Sequence, residues 1–472
     1  MQATASRSGW GIDGARWIPS RSHAVPILQL FALAVMVIPS DTVIEAIGAE
    51  GYAAALVGMF AFAAFIAAIL LGVHDAARHR HPVRGVLCVF WLSVLLSYVL
   101  MDRSTLTETQ ATAADRMLMQ LAIITGVALV AAECLTSLRD VHRVLRALTW
   151  GGAFCGVVAA LQFWISLDIT PYLRELPGFS VNFENPAIVA RSALNRVSGT
   201  SITAIELGVV AGMLLPLAIY LAIHDTDRSA RNRWAPVVLT ALAIPTSVSR
   251  SAIISIGLAL AVLIVLMPTR QRLVALCLAP LAVSGVFMSA PGVIGTLTTF
   301  FRAGSSDDSV RARIYDYPEV ERLVHQAPWF GHGGGTYLPE NPMYILDNQY
   351  LKTAIELGLL GVVVLLAYFL VPLISALVAR RRSSDPALRL LCAALAGAAL
   401  AAGACSVTFD SLSFPMFSNV YALVIGLIGA CWRLAAVGTA PATPRARGEP
   451  SAPYLGADEP PSTTRTVLPA GG

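Results

Sequence analysis

The chain has 472 residues, 56% of them hydrophobic and only 13% charged, with a formal net charge of +4 and a mean hydropathy of +0.68. That composition excludes a soluble enzyme, a nucleic-acid-binding domain and a disulfide-stapled secreted domain, and it points to a polytopic membrane protein. The basic side is almost entirely arginine, with Lys352 the one lysine, and the seven cysteines show neither a CxxC nor a metal-ligand spacing.

Apolar windows long enough for a hydrocarbon core of about 30 Å predict an all-α protein with about twelve transmembrane helices. They fall near 24–39, 51–73, 85–101, 117–135, 147–167, 202–223, 235–249, 251–267, 273–290, 350–378, 390–408 and 415–436. The first window lacks a small-residue cleavage site, so residues 1–23 read as a cytoplasmic segment ahead of an anchor. Residues 24–436 form the membrane domain. Residues 437–472, rich in Pro, Ala, Gly, Ser and Thr and without a hydrophobic period, read as a disordered cytoplasmic tail.

Arginine sets the orientation. Arg7, Arg16 and Arg21 precede the first window, and Arg78, Arg80 and Arg84 follow the second. Arg139, Arg143 and Arg146, then Arg228, Arg231 and Arg233, then Arg270 and Arg272, and finally the Arg380–Arg382 run with Arg389 recur at alternate connections. The positive-inside rule then places both termini in the cytoplasm and the chain in the cytoplasmic (inner) membrane. Residues 235–267 must hold two short helices that turn at Ser249, Arg250 and Ser251. Arg250 is thereby expected near the outer interface, where it calls for headgroups, a watery cavity or an anion. Glu133 and Glu206, the two best intramembrane acids, lie near helix ends, where snorkelling accounts for them.

Two external loops, about 168–201 and 291–349, are too long to be simple connectors; the larger lies between the ninth and tenth windows. Ile314, Tyr315, Tyr317, Val320, Leu323 and Val324 recur at three- and four-residue steps, predicting an amphipathic helix over 312–326 near the membrane surface, ended by Pro328. GHGGGTY (331–337) lacks the Gly-Lys-Ser/Thr ending of a nucleotide loop, so its glycines serve a tight turn or a close backbone approach beside a ligand. His332 reads either as a structural turn residue or as an acid or base. Asp347, where the chain re-enters as YLKTAIELGLLG, reads either as a helix N-cap or as a catalytic carboxylate. Arg191, Arg196, Arg250, Arg311 and Arg313 come from separate elements that could converge on one cavity. The five-donor guanidinium matches phosphate oxygens, so an anionic lipid headgroup such as a polyprenyl diphosphate is the expected ligand of an enzyme or a flippase.

Several blocks, in this order, resemble the bacterial O-antigen ligase and polymerase superfamily. They are NRVSGTS (195–201), LLPLAIY (214–220), TSVSRSAIISIGLALAVLI (246–264), SVRARIYDYPEVERLVHQAPWFGHGGGTY (309–337) and LDNQYLKTAIELGLLG (346–361). The resemblance implies a multi-pass, inverting glycosyltransferase that needs no metal or nucleotide cofactor. It also implies a polyprenyl-diphosphate-linked glycan donor, a glycan, lipid or protein acceptor, and polysaccharide-assembly proteins as companions, with no nucleic acid. The active site would face outside. By motif, Arg196 and Arg250 would hold the diphosphate, with Arg313 as a third group. Arg311, Arg191, His332, Asn348 and Tyr350 are the further substrate-binding candidates.

Ligases of this kind often carry His-Asn before the re-entering helix, whereas this chain carries Asp347–Asn348. Asp347 is therefore the expected acceptor base, and ligase and polymerase both stay open. The alternative, from a different class, is a flippase or exporter of lipid-linked oligosaccharide or polysaccharide. Two matched halves around a through-path would mark it. This chain instead concentrates polar complexity between the ninth and tenth windows.

Overall fold

The computed structural model describes residues 24–45, 51–75, 80–175, 177–182, 187–191, 194–289, 308–339, 341 and 344–438. The expected cytoplasmic segment 1–23, residues 290–307 of the large loop and the tail beyond residue 438 lie outside the described residues. Fourteen α-helices are described: α1 (Ala24–Val37), α2 (Ala53–Leu70), α3 (Pro82–Leu100), α4 (Glu108–Cys134), α5 (Leu138–Ala160), α6 (Thr170–Arg174) and α7 (Ala204–His224), then α8 (Ala230–Thr246), α9 (Arg250–Leu266), α10 (Thr269–Ser289), α11 (Asp308–Gln326), α12 (Gln349–Arg382), α13 (Pro386–Cys405) and α14 (Pro415–Gly438).

A helix occupies each of the twelve apolar windows, but among the described residues only eight are long and apolar enough to cross a membrane. They are α2, α3, α4, α5 continued through a π-turn to Ile165, α7, α12, α13 and α14. The expected count of about twelve is corrected accordingly. With 14 and 17 residues, α1 and α9 rise only about 21 and 26 Å, short of a core about 30 Å thick. α8 has 17 residues and contains Pro236 and Pro245. α10 begins with Arg270 and Arg272, leans on α9 and leaves Leu273, Val274, Leu276, Leu278 and Leu281 exposed.

Local chemistry starts several of these helices. Thr107 and Gln110 form a reciprocal capping box on α4, and the side chains of Ser137, Thr203 and Asp385 cap α5, α7 and α13. Packing then selects small residues. A Cβ on Gly426 would come within 2.7 Å of Ala128 O where α14 meets α4, and one on Gly208 within 2.4 Å of the Ala252 methyl where α7 meets α9. Helices in an apolar solvent gain little from burying more apolar surface, so close backbone approach supplies the contact. Tyr368, Phe369, Phe417 and Tyr421 form an aromatic knot between α12 and α14.

One end of the bundle carries a closed set of charges. The fully buried Glu133 carboxylate sits 2.5 Å from His74 Nε2 and 3.1 Å from His81 Nε2, and Arg84 donates to the same oxygen as His81. Arg433 donates to the carbonyls of Ala132 and Glu133 at 2.7 and 2.6 Å. Nearby connections at this end hold Arg146 on Asp225 at 2.7 Å. Glu206 is also fully buried, accepting the N–H groups of Ile202 and Phe417 at 2.9 and 3.0 Å. Snorkelling is thus the wrong account of both acids. Each stays inside because buried donors meet it.

α11 starts four residues before the expected 312. Its Val320 is buried with Leu346 and Ile355, and Leu323 and Val324 pack beside them, so this part of the stripe packs on the start of α12; Tyr317 is exposed, and the Ile314 and Tyr315 side chains lie outside the described residues. Two short antiparallel ribbons, Thr42–Ile44 with Phe179–Val181 and Ile188–Arg191 with Leu194–Val197, tie the loops of the opposite end.

Candidate functional site

The residues that re-enter after the large loop build a helix with a break. Asn348 caps α12, its Oδ1 accepting the N–H groups of Tyr350 and Leu351 at 2.9 and 3.3 Å. At Gly358 the backbone turns to φ 68°, ψ −169°, which removes the helical bonds around it. Residues 328–333 replace them. The N–H groups of Leu359 and Leu360 bond to the carbonyls of Pro328 and Trp329, and those of His332 and Gly333 bond to the carbonyls of Ile355 and Glu356. Ser97 Oγ adds a bond to Glu356 O at 2.9 Å. Broken helix inside a membrane domain needs such internal partners, since hydrocarbon supplies none. A Cβ on Gly331 would lie 2.3 Å from the Glu356 carbonyl, and one on Gly358 would lie 2.4 Å from the Trp329 carbonyl carbon. Gly331 therefore serves a close backbone approach to α12, while a Cβ on Gly335 would lie 2.6 Å from the Ala113 carbonyl of α4. His332 Nε2 lies 2.9 Å from Leu323 O, so that nitrogen carries the donated proton.

Below this splice is a cavity of about 340 Å³ between α3, α4, α12 and the loops before α2 and α14. Its polar wall is mostly fixed. Tyr52 donates to Gln120 Oε1, and Gln120 Nε2 donates to Ser418 Oγ at 2.8 Å. Gln349 Nε2 donates to Thr353 Oγ1 at 3.1 Å, while its Oε1 accepts Leu412 N–H at 2.8 Å. Lys352 Nζ reaches Ser413 Oγ at 2.7 Å and Asp410 Oδ2 at 3.4 Å. Glu356, one helical turn on, is buried and accepts the N–H of Tyr337 at 3.4 Å. Arg116 differs: it is half-buried in the wall and has no hydrogen-bond or ion-pair partner among the described residues. Just outside this site, the N–H and O–H of Ser104 hold the Asp102 carboxyl below its ordinary pKa.

The two motif arginines do not line this cavity. Arg250 opens α9 after a tight turn in which Val248 adopts φ 43°. Its neighbour Ser251 donates to Thr408 Oγ1 at 2.8 Å, and Gln349 N–H bonds to Ser406 O at 2.9 Å. The Ser-Arg-Ser turn and the start of α12 are thus held to the same short segment, residues 406–409. Arg196 is half-buried on the strand Leu194–Val197, opposite Val189. The turn after it is fixed by Gln162, which accepts Gly199 N–H at 2.9 Å, and by Thr200, which donates to Met36 O at 2.8 Å. Ile202 then lines the cavity, and Glu206 ties this segment to the start of α14.

Other candidates fall differently. Asp347 is exposed and does not cap the helix; Asn348 does. Asn348 is consequently occupied as a cap, and Tyr350 donates its O–H to Gly403 O at 2.9 Å. Arg191 lies on the strand Ile188–Arg191, and Arg311 and Arg313 lie on α11; the side chains of all three are outside the described residues. Sequence reasoning missed Arg116, Lys352 and Glu356. Their signals were present: an arginine at a span edge against the arginine bias, the one lysine, and an acid inside an apolar window.

The fold and site define a multi-pass membrane-helix bundle with a charged, amide-rich cavity at its loop-bearing end. Residues 235–366 match the family model described as O-Antigen ligase. That stretch contains Arg250, His332, Asp347, Lys352 and Glu356, but neither Arg196 nor Arg116. The match is consistent with a membrane-embedded glycosyltransferase-type enzyme of the O-antigen ligase and polymerase superfamily. No curated protein matches the chain.

Proposed function

We propose that the protein transfers or polymerises a polyprenyl-diphosphate-linked glycan at the outer face of the cytoplasmic membrane, with inversion and without a metal. The observation that carries this reading is the matched segment itself: it brings the Arg250 turn and the start of α12 onto residues 406–409, beside the charged cavity. In the reaction the acceptor hydroxyl oxygen attacks the anomeric carbon. The bond from that carbon to the diphosphate breaks, and the diphosphate leaves with the electron pair. Arg250 and Arg196 stabilise charge growing on the departing oxygen, with Arg313 and Arg311 assisting from α11 and Arg191 from its strand. Asp347 takes the hydroxyl proton; with Asn348 already serving as the cap, its carboxylate is not needed for that task.

The test uses purified full-length protein in vesicles with a lipid-linked repeat unit. Arg250→Ala should lower formation of new glycosidic bonds about 100- to 1000-fold. Transfer at the unmodified rate would remove the diphosphate role. Translocation of the glycan-lipid without any new bond would instead make the protein a flippase. Ladder formation from the repeat alone would mark a polymerase, and dependence on a separate acceptor a ligase. The proposed orientation predicts that a cysteine at Tyr344 labels from outside in intact spheroplasts, whereas one at Arg382 labels only after permeabilisation.

A further inference from the structure

Arg116 is the residue that the proposed transfer does not use. An arginine at a span edge that turns into a cavity calls for water or an anion there, and this one faces a cavity with no protein partner among the described residues. We propose that the cavity is a sugar subsite that selects a carboxylate-bearing sugar unit, with Arg116 receiving the carboxylate. This rests on the glycan-transfer reading and deepens it by naming a substrate class.

The chemistry of the wall favours a sugar over the diphosphate. Gln120, Gln349, Thr353 and Ser413 present amides and hydroxyls suited to sugar hydroxyl groups, and Phe90 offers an apolar face. Charge decides further. Of the two cations among the described lining residues, Lys352 is already held by Asp410, which leaves Arg116 to meet a ligand. A diphosphate brings at least two negative charges, more than the Arg116 guanidinium alone balances. A single carboxylate matches the Arg116 guanidinium, whose planar fork pairs with it in two parallel hydrogen bonds. Glu356 offers a further polar partner for a sugar hydroxyl.

The experiment compares two synthetic undecaprenyl-diphosphate disaccharides, one of two glucose units and one of two glucuronic acid units. Binding to the full chain in nanodiscs is measured by microscale thermophoresis. The unmodified protein should bind the glucuronate probe at least about tenfold more tightly. Arg116→Gln should erase that preference while holding the glucose probe within about twofold, and Arg116→Lys should restore part of it. Equal affinity of the unmodified protein for both probes overturns the proposal, and so does a preference that survives Arg116→Gln. Equal weakening of both probes by Arg116→Gln also overturns it, by assigning Arg116 to the diphosphate. If Arg116→Gln does not fold, the two-probe comparison in the unmodified protein and Arg116→Lys decides. Selective binding without transfer would sink the transferase reading and leave this inference standing. Transfer without selectivity would do the reverse.

Discussion

The two ends of the bundle treat buried charge in opposite ways. At the end holding Glu133, two histidines, Arg84 and the Arg433-bound carbonyls close around one carboxylate, and Arg146 closes on Asp225. At the other end a helix is broken, its backbone is re-satisfied by a glycine-rich segment, and a cavity of about 340 Å³ keeps a guanidinium without a protein partner among the described residues. A satisfied network rigidifies a bundle, whereas an unsatisfied charge beside a void holds a place for something else. The first end is a closed network, and the second is where the proposed transfer places its chemistry.

The comparison breaks most sharply at Glu133. Glu133→Gln leaves His74, His81 and Arg84 around a neutral amide, and losing one partner of a buried charge set costs about 3–5 kcal/mol. The expected figure is about 3 kcal/mol, the lower end, because the Arg84 side chain is 24% exposed. Denaturant unfolding in detergent should show that loss, with transfer per folded molecule unchanged. A large loss of transfer in folded protein would move function to this end as well.

Asp347→Asn should do the opposite. Transfer should fall about 100-fold, within the usual scale of general-base assistance, while thermal stability stays as it was. Activity within a few-fold of the unmodified protein would remove the base assignment, and His332→Ala in the same assay reports whether the turn histidine takes the proton instead.

Gly358→Ala probes the splice between the two regimes. The residue sits at φ 68° and its new methyl would meet Trp329 backbone, so about 1–3 kcal/mol of stability should be lost. The effect should include a looser cavity, read as weaker donor binding; an unchanged melting temperature would show that the break is not required. The smallest effect is expected at the cap. Asn348→Ala should cost about 1 kcal/mol and Asn348→Asp almost nothing, so equal losses in the two would assign Asn348 a role beyond capping.

Much of this was written along the chain. Apolar windows located all eight helices that, among the described residues, are long and apolar enough to cross a membrane, because membrane solvent demands runs of apolar residues whatever their neighbours are. The turn expected at Ser249–Ser251 falls at Ser247–Ser249, with Arg250 opening α9, and GHGGGTY announced a close backbone approach. The tertiary structure alone decided what approaches what. Gly331 meets the Glu356 carbonyl of α12 and Gly335 the Ala113 carbonyl of α4, Asn348 and not Asp347 caps, and Glu133 and Glu206 are enclosed. It also placed Arg116, Lys352 and Glu356 in one cavity, although Arg116 is more than 200 positions from the other two in the chain. Hydropathy and periodicity report a residue's preference for lipid or water, which is a property of one segment. Whether a charge is paired or left facing a void depends on helices brought together from distant parts of the chain, and no local pattern carries that information.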